Sequence, residues 1–160
     1  MAEKIHNYEV QVAWIGNEGT GTSSYRAYSR SHVIQVNGKK PIEGSSDPSF
    51  LGDSTRWNPE QLLIASLSAC FKLWYLGLCA ETAIVVVAYE DNAQGTMLEE
   101  SNGSGQFTSV VLRPKISLAS GSDIEKAKAL IQTAHEKCFI ARSVNFPVSH
   151  APDISISPDS

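Results

Sequence analysis

Three cysteines and one histidine are the residues of this chain best suited to chemistry. Cys70 and Cys79 fall in one long apolar segment, and His135 and Cys138 fall in a second helical segment. Nine residues of one helix span about 13 Å, whereas a disulfide needs Cα atoms within about 7 Å, so Cys70 and Cys79 cannot pair unless the helix breaks. A pairing across helices, Cys79 with Cys138 or Cys70 with Cys138, is open to both. Small core packing is open to all three, because free cysteine is among the most buried residue types. His135 and Cys138, spaced i, i+3, share a helix face and are half of a zinc site at most. No Cys-x-x-Cys or His-x-x-x-His pair completes one. His6, His32 and His150 lie near strand ends or turns and suggest no chemistry. The sequence also lacks a glycine-rich phosphate loop, a Gly-x-Ser-x-Gly elbow and a His-Glu-x-x-His motif.

The elements that must position these residues are readable in part. Tyr8, Val10, Val12 and Trp14 alternate with polar residues, which predicts a half-buried strand over 7–15. A further strand is expected over 25–36, ending at the Asn37-Gly38 turn. A long loop, 38–57, then runs to Trp57 with neither helical nor strand period; loops of that length are functional or disordered. Asn58-Pro59-Glu60 is a helix start: an N-cap, a proline suited to the first turn, and an acid at the positive end of the dipole. The helix continues to Glu81 and is apolar on nearly all sides. Such a helix is buried or crosses a membrane. Ser66, Ser68, Lys72 and Gly77 interrupt it and no basic flank marks it, so a central buried helix is expected and no membrane span. Strand regions follow at 83–98 and 105–118, where Pro114 suggests an edge strand or a bulge. A second helix is expected over 123–137, and strand pattern returns at 147–157. The order is that of an α+β protein.

Length and composition narrow the class. The chain has 160 residues, 42% hydrophobic and 19% charged, as expected of one globular domain over 1–160. Its 13 basic residues are outnumbered by 17 acidic ones, giving a net charge of −4. No basic run exceeds Lys39-Lys40, so nucleic acid is not an expected partner. The N-terminus shows no secretory pattern, and an odd cysteine count does not describe a disulfide scaffold. A cytoplasmic location is expected.

Two segments resemble a known family. Asn58-Pro59-Glu60-Gln61-Leu62-Leu63-Ile64-Ala65-Ser66-Leu67-Ser68-Ala69-Cys70-Phe71 resembles the central-helix motif of the OsmC/Ohr family, the osmotically inducible and organic hydroperoxide resistance proteins. His135-Glu136-Lys137-Cys138, continuing to Pro147, is similar to that family's second cysteine motif. Element order agrees from about residue 7 to 157. The resemblance implies an OsmC-like fold: an intertwined homodimer with long central helices wrapped by antiparallel sheets. It implies a thiol peroxidase of organic hydroperoxides, with Cys70 attacking the peroxide, Cys138 resolving, and Glu60 the acidic residue of the site. Cys79 matches neither role. No cofactor and no metal is implied; the expected reductant is a separate dithiol, commonly of lipoyl type. An activating arginine is implied as well, with Arg26 and Arg56 the candidates and Arg30 behind them. Glu60 would hold that arginine in a two-pronged ion pair.

Such chemistry needs these residue types. A thiolate attacks the peroxide, a cation favours that thiolate, and the sulfenic acid left behind condenses with a second thiol. Glu60 and Cys70 lie about 15 Å apart along one helix, which favours a site shared by two subunits. The sequence departs from the family at Phe139, where the better-known peroxidases carry proline after the second cysteine. Non-catalytic alternatives are a redox sensor or an apolar-ligand-binding protein on the same fold.

Overall fold

The computed structural model describes residues 3–158. The backbone gathers into two compact units, 1–62 and 63–160.

The N-terminal unit holds a three-stranded antiparallel meander, β1 (Gln11–Trp14), β2 (His32–Gln35) and β3 (Ile42–Gly44). β1 is shorter than its alternation predicts, and all four of its residues are exposed rather than half-buried. Residues 25–31 are turn and irregular backbone rather than strand, tied back by a bridge between Asn17 and Tyr28. The loop 38–57 is ordered by its own side chains. Ser45 is buried, and its Oγ accepts from the Asp53 amide at 3.0 Å. Asp47 Oδ1 accepts from Ser49 N at 2.8 Å and caps a 3-10 turn at Pro48–Phe50. Short polar side chains of this kind satisfy backbone donors that no sheet reaches.

Helix α1 (Pro59–Glu81) begins with a reciprocal cap. Asn58 Oδ1 accepts from Gln61 N at 2.8 Å, and Gln61 Oε1 accepts from Asn58 N at 3.2 Å. By length and composition α1 is able to cross a membrane, but one stripe of it builds a core. Leu67, Phe71, Tyr75 and Cys79, four residues apart, lie on one face and are all buried. Burial is not all-round as expected: Leu73 is 66% exposed.

In the C-terminal unit the predicted strand regions each split. Residues 83–98 give β4 (Val86–Asp91) and β5 (Gln94–Glu99), which join different sheets, β4-β7-β9 and β5-β6-β8. Residues 105–118 give β6 (Gly105–Leu112) and β7 (Pro114–Leu118), with β8 (Val148–His150) and β9 (Asp153–Ile156) closing the two sheets. Pro114 is not on an edge. It opens β7, the middle strand of its sheet, at the first position where a missing N–H is tolerated. The sheets are mixed rather than antiparallel, because β6 pairs with β8 and β7 with β9 in parallel. Parallel neighbours need a crossover, and α2 (Ile124–Lys137) supplies it. Val110, Leu112, Ile116 and Leu118 from β6 and β7, with Ala127 and Ala134 of α2, complete the core around the α1 stripe. This is an α+β fold.

Candidate functional site

Cys70 and Cys138 meet in the C-terminal unit. Cys70 lies on α1 one residue before the core position Phe71 and is partly buried; Cys138 is buried. Cys138 is the C-cap of α2, its amide donating to the His135 carbonyl at 3.1 Å. The helix therefore ends at this cysteine, and the chain turns there. Ala141 N donates to Cys138 Sγ at 3.5 Å. Burial pushes the Cys138 thiol up to about 11, and the neighbouring Cys70 thiol adds to the rise; the Ala141 and Ile140 amides oppose it. Both thiols are free.

The third cysteine is placed differently. Cys79 is buried at the far end of the α1 stripe, and burial raises its thiol above the usual range while a hydrogen bond with Tyr75 opposes the rise. Tyr75 in turn donates to the Ala127 carbonyl at 3.2 Å.

Polar residues that sequence reasoning passed over pack near the cysteine-bearing turns. His150 packs on Phe71 at a 39° tilt with ring centroids 4.5 Å apart and meets the His135 ring edge-on at 4.9 Å. His150 is pushed down to about 4, first by burial, then by His135, with Asp91 opposing. Asp91 accepts from Ser68 Oγ at 2.5 Å and from Arg113 N at 2.7 Å, fastening β4 to α1. Nε2 of His150 and Nδ1 of His135 are buried without a hydrogen-bond partner. Their association depends on the register of β8 on β6, His150 against Leu112, which no local pattern announces. His135 was considered in sequence only with Cys138 as a metal pair. Among the described residues no group of three or more His, Cys, Asp or Glu side chains is arranged to hold a metal.

The remaining predicted residues belong to the N-terminal unit. Arg26 is exposed in a turn. Arg30 is clamped between Tyr25 and Tyr28, 4.4 and 4.2 Å from their ring centroids, and donates to both of their carbonyls. Arg56 pairs with Glu43 and Asp53, each at 3.6 Å. The expected two-pronged pair between Arg56 and Glu60 is not made among the described residues. Arg56 Nη1 and Glu60 Oε2 are instead each buried without a hydrogen-bond partner. Two other carboxylates, Asp53 three residues before Arg56 and Glu43 on β3, hold the guanidinium.

The OsmC-like protein family model matches residues 52–152, which include both α1 and the Cys138 turn. The chain belongs to this family. Among solved structures, an OsmC-like protein of unknown function from Vibrio cholerae O1 biovar eltor is 29% identical, with a TM-score of 0.85 over 93% of this chain and 100% of that one. The organic hydroperoxide resistance protein OhrB of Bacillus subtilis is 22% identical, with a TM-score of 0.61 over 92% of this chain and 98% of that one. An organic hydroperoxide resistance protein OsmC from Legionella pneumophila is 17% identical, with a TM-score of 0.68 over 96% and 99%. These likenesses support the OsmC-like fold, with its helices and mixed sheets. No curated protein matches the chain.

Proposed function

We propose that this OsmC-like protein is a cysteine-based peroxidase of organic hydroperoxides. The observation that carries the reading is the juxtaposition of Cys70 and Cys138. The partly exposed thiol is the one a substrate can reach, and the buried one, held up to about 11, stays protonated at neutral pH until it is needed.

The Cys70 thiolate attacks the terminal peroxide oxygen. An S–O bond forms, the O–O bond breaks, and the alkoxide takes a proton to leave as an alcohol. Cys70 is then a sulfenic acid. The Cys138 sulfur attacks the Cys70 sulfur, the S–S bond forms, and the hydroxyl departs as water with the Cys138 proton. A dithiol reduces the disulfide by two electrons and is itself oxidised. A lipoyl-type dithiol fits that requirement.

Of the arginines that the resemblance offers as activating cation, Arg56 is preferred to Arg26, because an Arg56 nitrogen is buried with an unused donor while Arg26 is exposed. Glu60, with one unused buried oxygen, keeps the acidic role that the resemblance implies. An intertwined homodimer is part of the reading. Trp14, Leu73, Val85 and Val87 are 46 to 66% exposed, and a second subunit would remove such apolar surface from water. Light scattering tests this point; a well-folded monomer contradicts the dimer.

Turnover of an alkyl hydroperoxide with excess dithiol tests the activity itself. Steady consumption is expected. Intact hydroperoxide, with protein thiols unchanged, would instead favour a non-catalytic binding or sensing role.

A further inference from the structure

The surface beside the cysteine pair carries both an apolar face and a fixed positive charge. Trp74 is about one helical turn beyond Cys70, about 6 Å along α1. Phe139, the residue after Cys138, is 68% exposed and meets the Trp74 ring edge-on at 5.6 Å. Lys137, the residue before Cys138, holds its ammonium 5.4 Å from the Trp74 centroid. Lys137 has no carboxylate within ion-pair distance among the described residues, although Glu136 stands next to it and accepts from Gln132. Trp74, one turn from Cys70, thus gathers on its ring the two residues that flank Cys138 in sequence.

Each part of this arrangement has a physical consequence. Trp74, half-buried against the core, and the exposed Phe139 ring offer an apolar surface. An ammonium over an indole is weakly attracted to the ring, which fixes where the charge stands. An apolar surface with a cation at its rim complements an apolar chain that ends in an anion.

We infer that Lys137, with Trp74 and Phe139, reads charge on the substrate: a hydroperoxide whose apolar chain ends in a carboxylate is preferred to its neutral counterpart. This inference rests on the peroxidase reading and adds a specificity determinant to it. Lys137 touches the substrate's distal end and takes no part in the bond changes at sulfur. It also sits in the last turn of α2, where a cation favours the helix dipole. A purely structural lysine would affect all substrates alike, and that difference makes the idea testable.

The experiment compares a medium-chain ω-hydroperoxy carboxylic acid with its methyl ester, by kcat/KM, in wild type, Lys137→Gln and Lys137→Arg. The wild type is expected to prefer the acid about two- to fivefold at low salt, as befits one exposed charge pair, and less at high salt. In Lys137→Gln the acid-to-ester ratio falls to about one, and Lys137→Arg keeps most of the preference. Equal use of acid and ester by the wild type overturns the inference. So does a Lys137→Gln variant that slows both in the same proportion. No turnover of either substrate, with no Cys70–Cys138 disulfide formed, overturns the peroxidase reading itself and this inference with it.

Discussion

The two cysteines of α1 can be compared as an internal experiment. They share a residue type and a helix, yet their surroundings differ. Cys70 is partly exposed and faces a second thiol; Cys79 is buried, its hydroxyl neighbour Tyr75 already committed to the Ala127 carbonyl. A thiol does two-electron chemistry when a peroxide can reach it and a second thiol can resolve it. Cys70 meets both conditions and Cys79 meets neither. Residue type therefore says little here, and placement along the helix says much.

The largest expected effect is on catalysis. Cys70→Ser should abolish hydroperoxide turnover, while Cys79→Ser leaves it largely intact, in a steady-state assay with excess dithiol. Equal loss in the two variants would remove the distinction between the ends of the helix.

At the Cys79 end the expected effects are on stability. Tyr75→Phe removes the hydroxyl that bonds the Ala127 carbonyl and the Cys79 thiol, at a cost of about 0.5–1.5 kcal/mol by denaturant unfolding. No change would mean that the buried hydroxyl contributes nothing there. Gly95→Ala is a control whose added methyl meets Ile64 and Phe107 first rather than a cysteine. A Cβ at Gly95 would stand 2.7 Å from both Ile64 Cδ1 and Phe107 Cε1, and overpacking of that kind costs about 1–3 kcal/mol. It should lower stability without changing which cysteine oxidises.

The Cys70 end should carry a distinct acid signature. His150 is held down to about 4 from 6.5, so the folded state resists its protonation. The stability this reflects is present above about 6.5 and is lost as pH falls towards about 4. His150→Gln should flatten the decline across that window, followed by thermal melts at several pH values. An unchanged slope would place the acid sensitivity elsewhere. The smallest effect is expected just past Cys79, where Ala83 ends α1 with φ +59°. Ala83→Gly relieves a left-handed backbone and should add about 0.5–1 kcal/mol. A loss of stability would mean that the methyl group is packed rather than strained.

The same contrast separates what is legible in sequence from what is not. The start of α1 is readable because Asn58, Pro59 and Gln61 act within one turn, and capping is local chemistry. Asp123 announces α2 in the same way, its side chain accepting from Lys126 N. The division of 83–98 into strands of two sheets is not readable, because alternation specifies a face and not a partner strand. Pro114 misleads for a related reason: a proline restricts its own position, and only the register shows that β7 is central. The order within 38–57 comes from Ser45, Asp47 and Asp53 bonding to backbone, which leaves no periodic trace. Of the site, the two cysteines and their helices are legible. The His135–His150 contact and the partners of Arg56 depend on the fold bringing distant or competing groups together.

The central claim is that Cys70 and Cys138 form the reactive pair. A mass-spectrometric peptide map after one equivalent of an alkyl hydroperoxide, without reductant, tests it most directly. The account predicts a rapid Cys70–Cys138 disulfide with Cys79 still a thiol. Unmodified thiols, or oxidation scattered over all three cysteines, would contradict it.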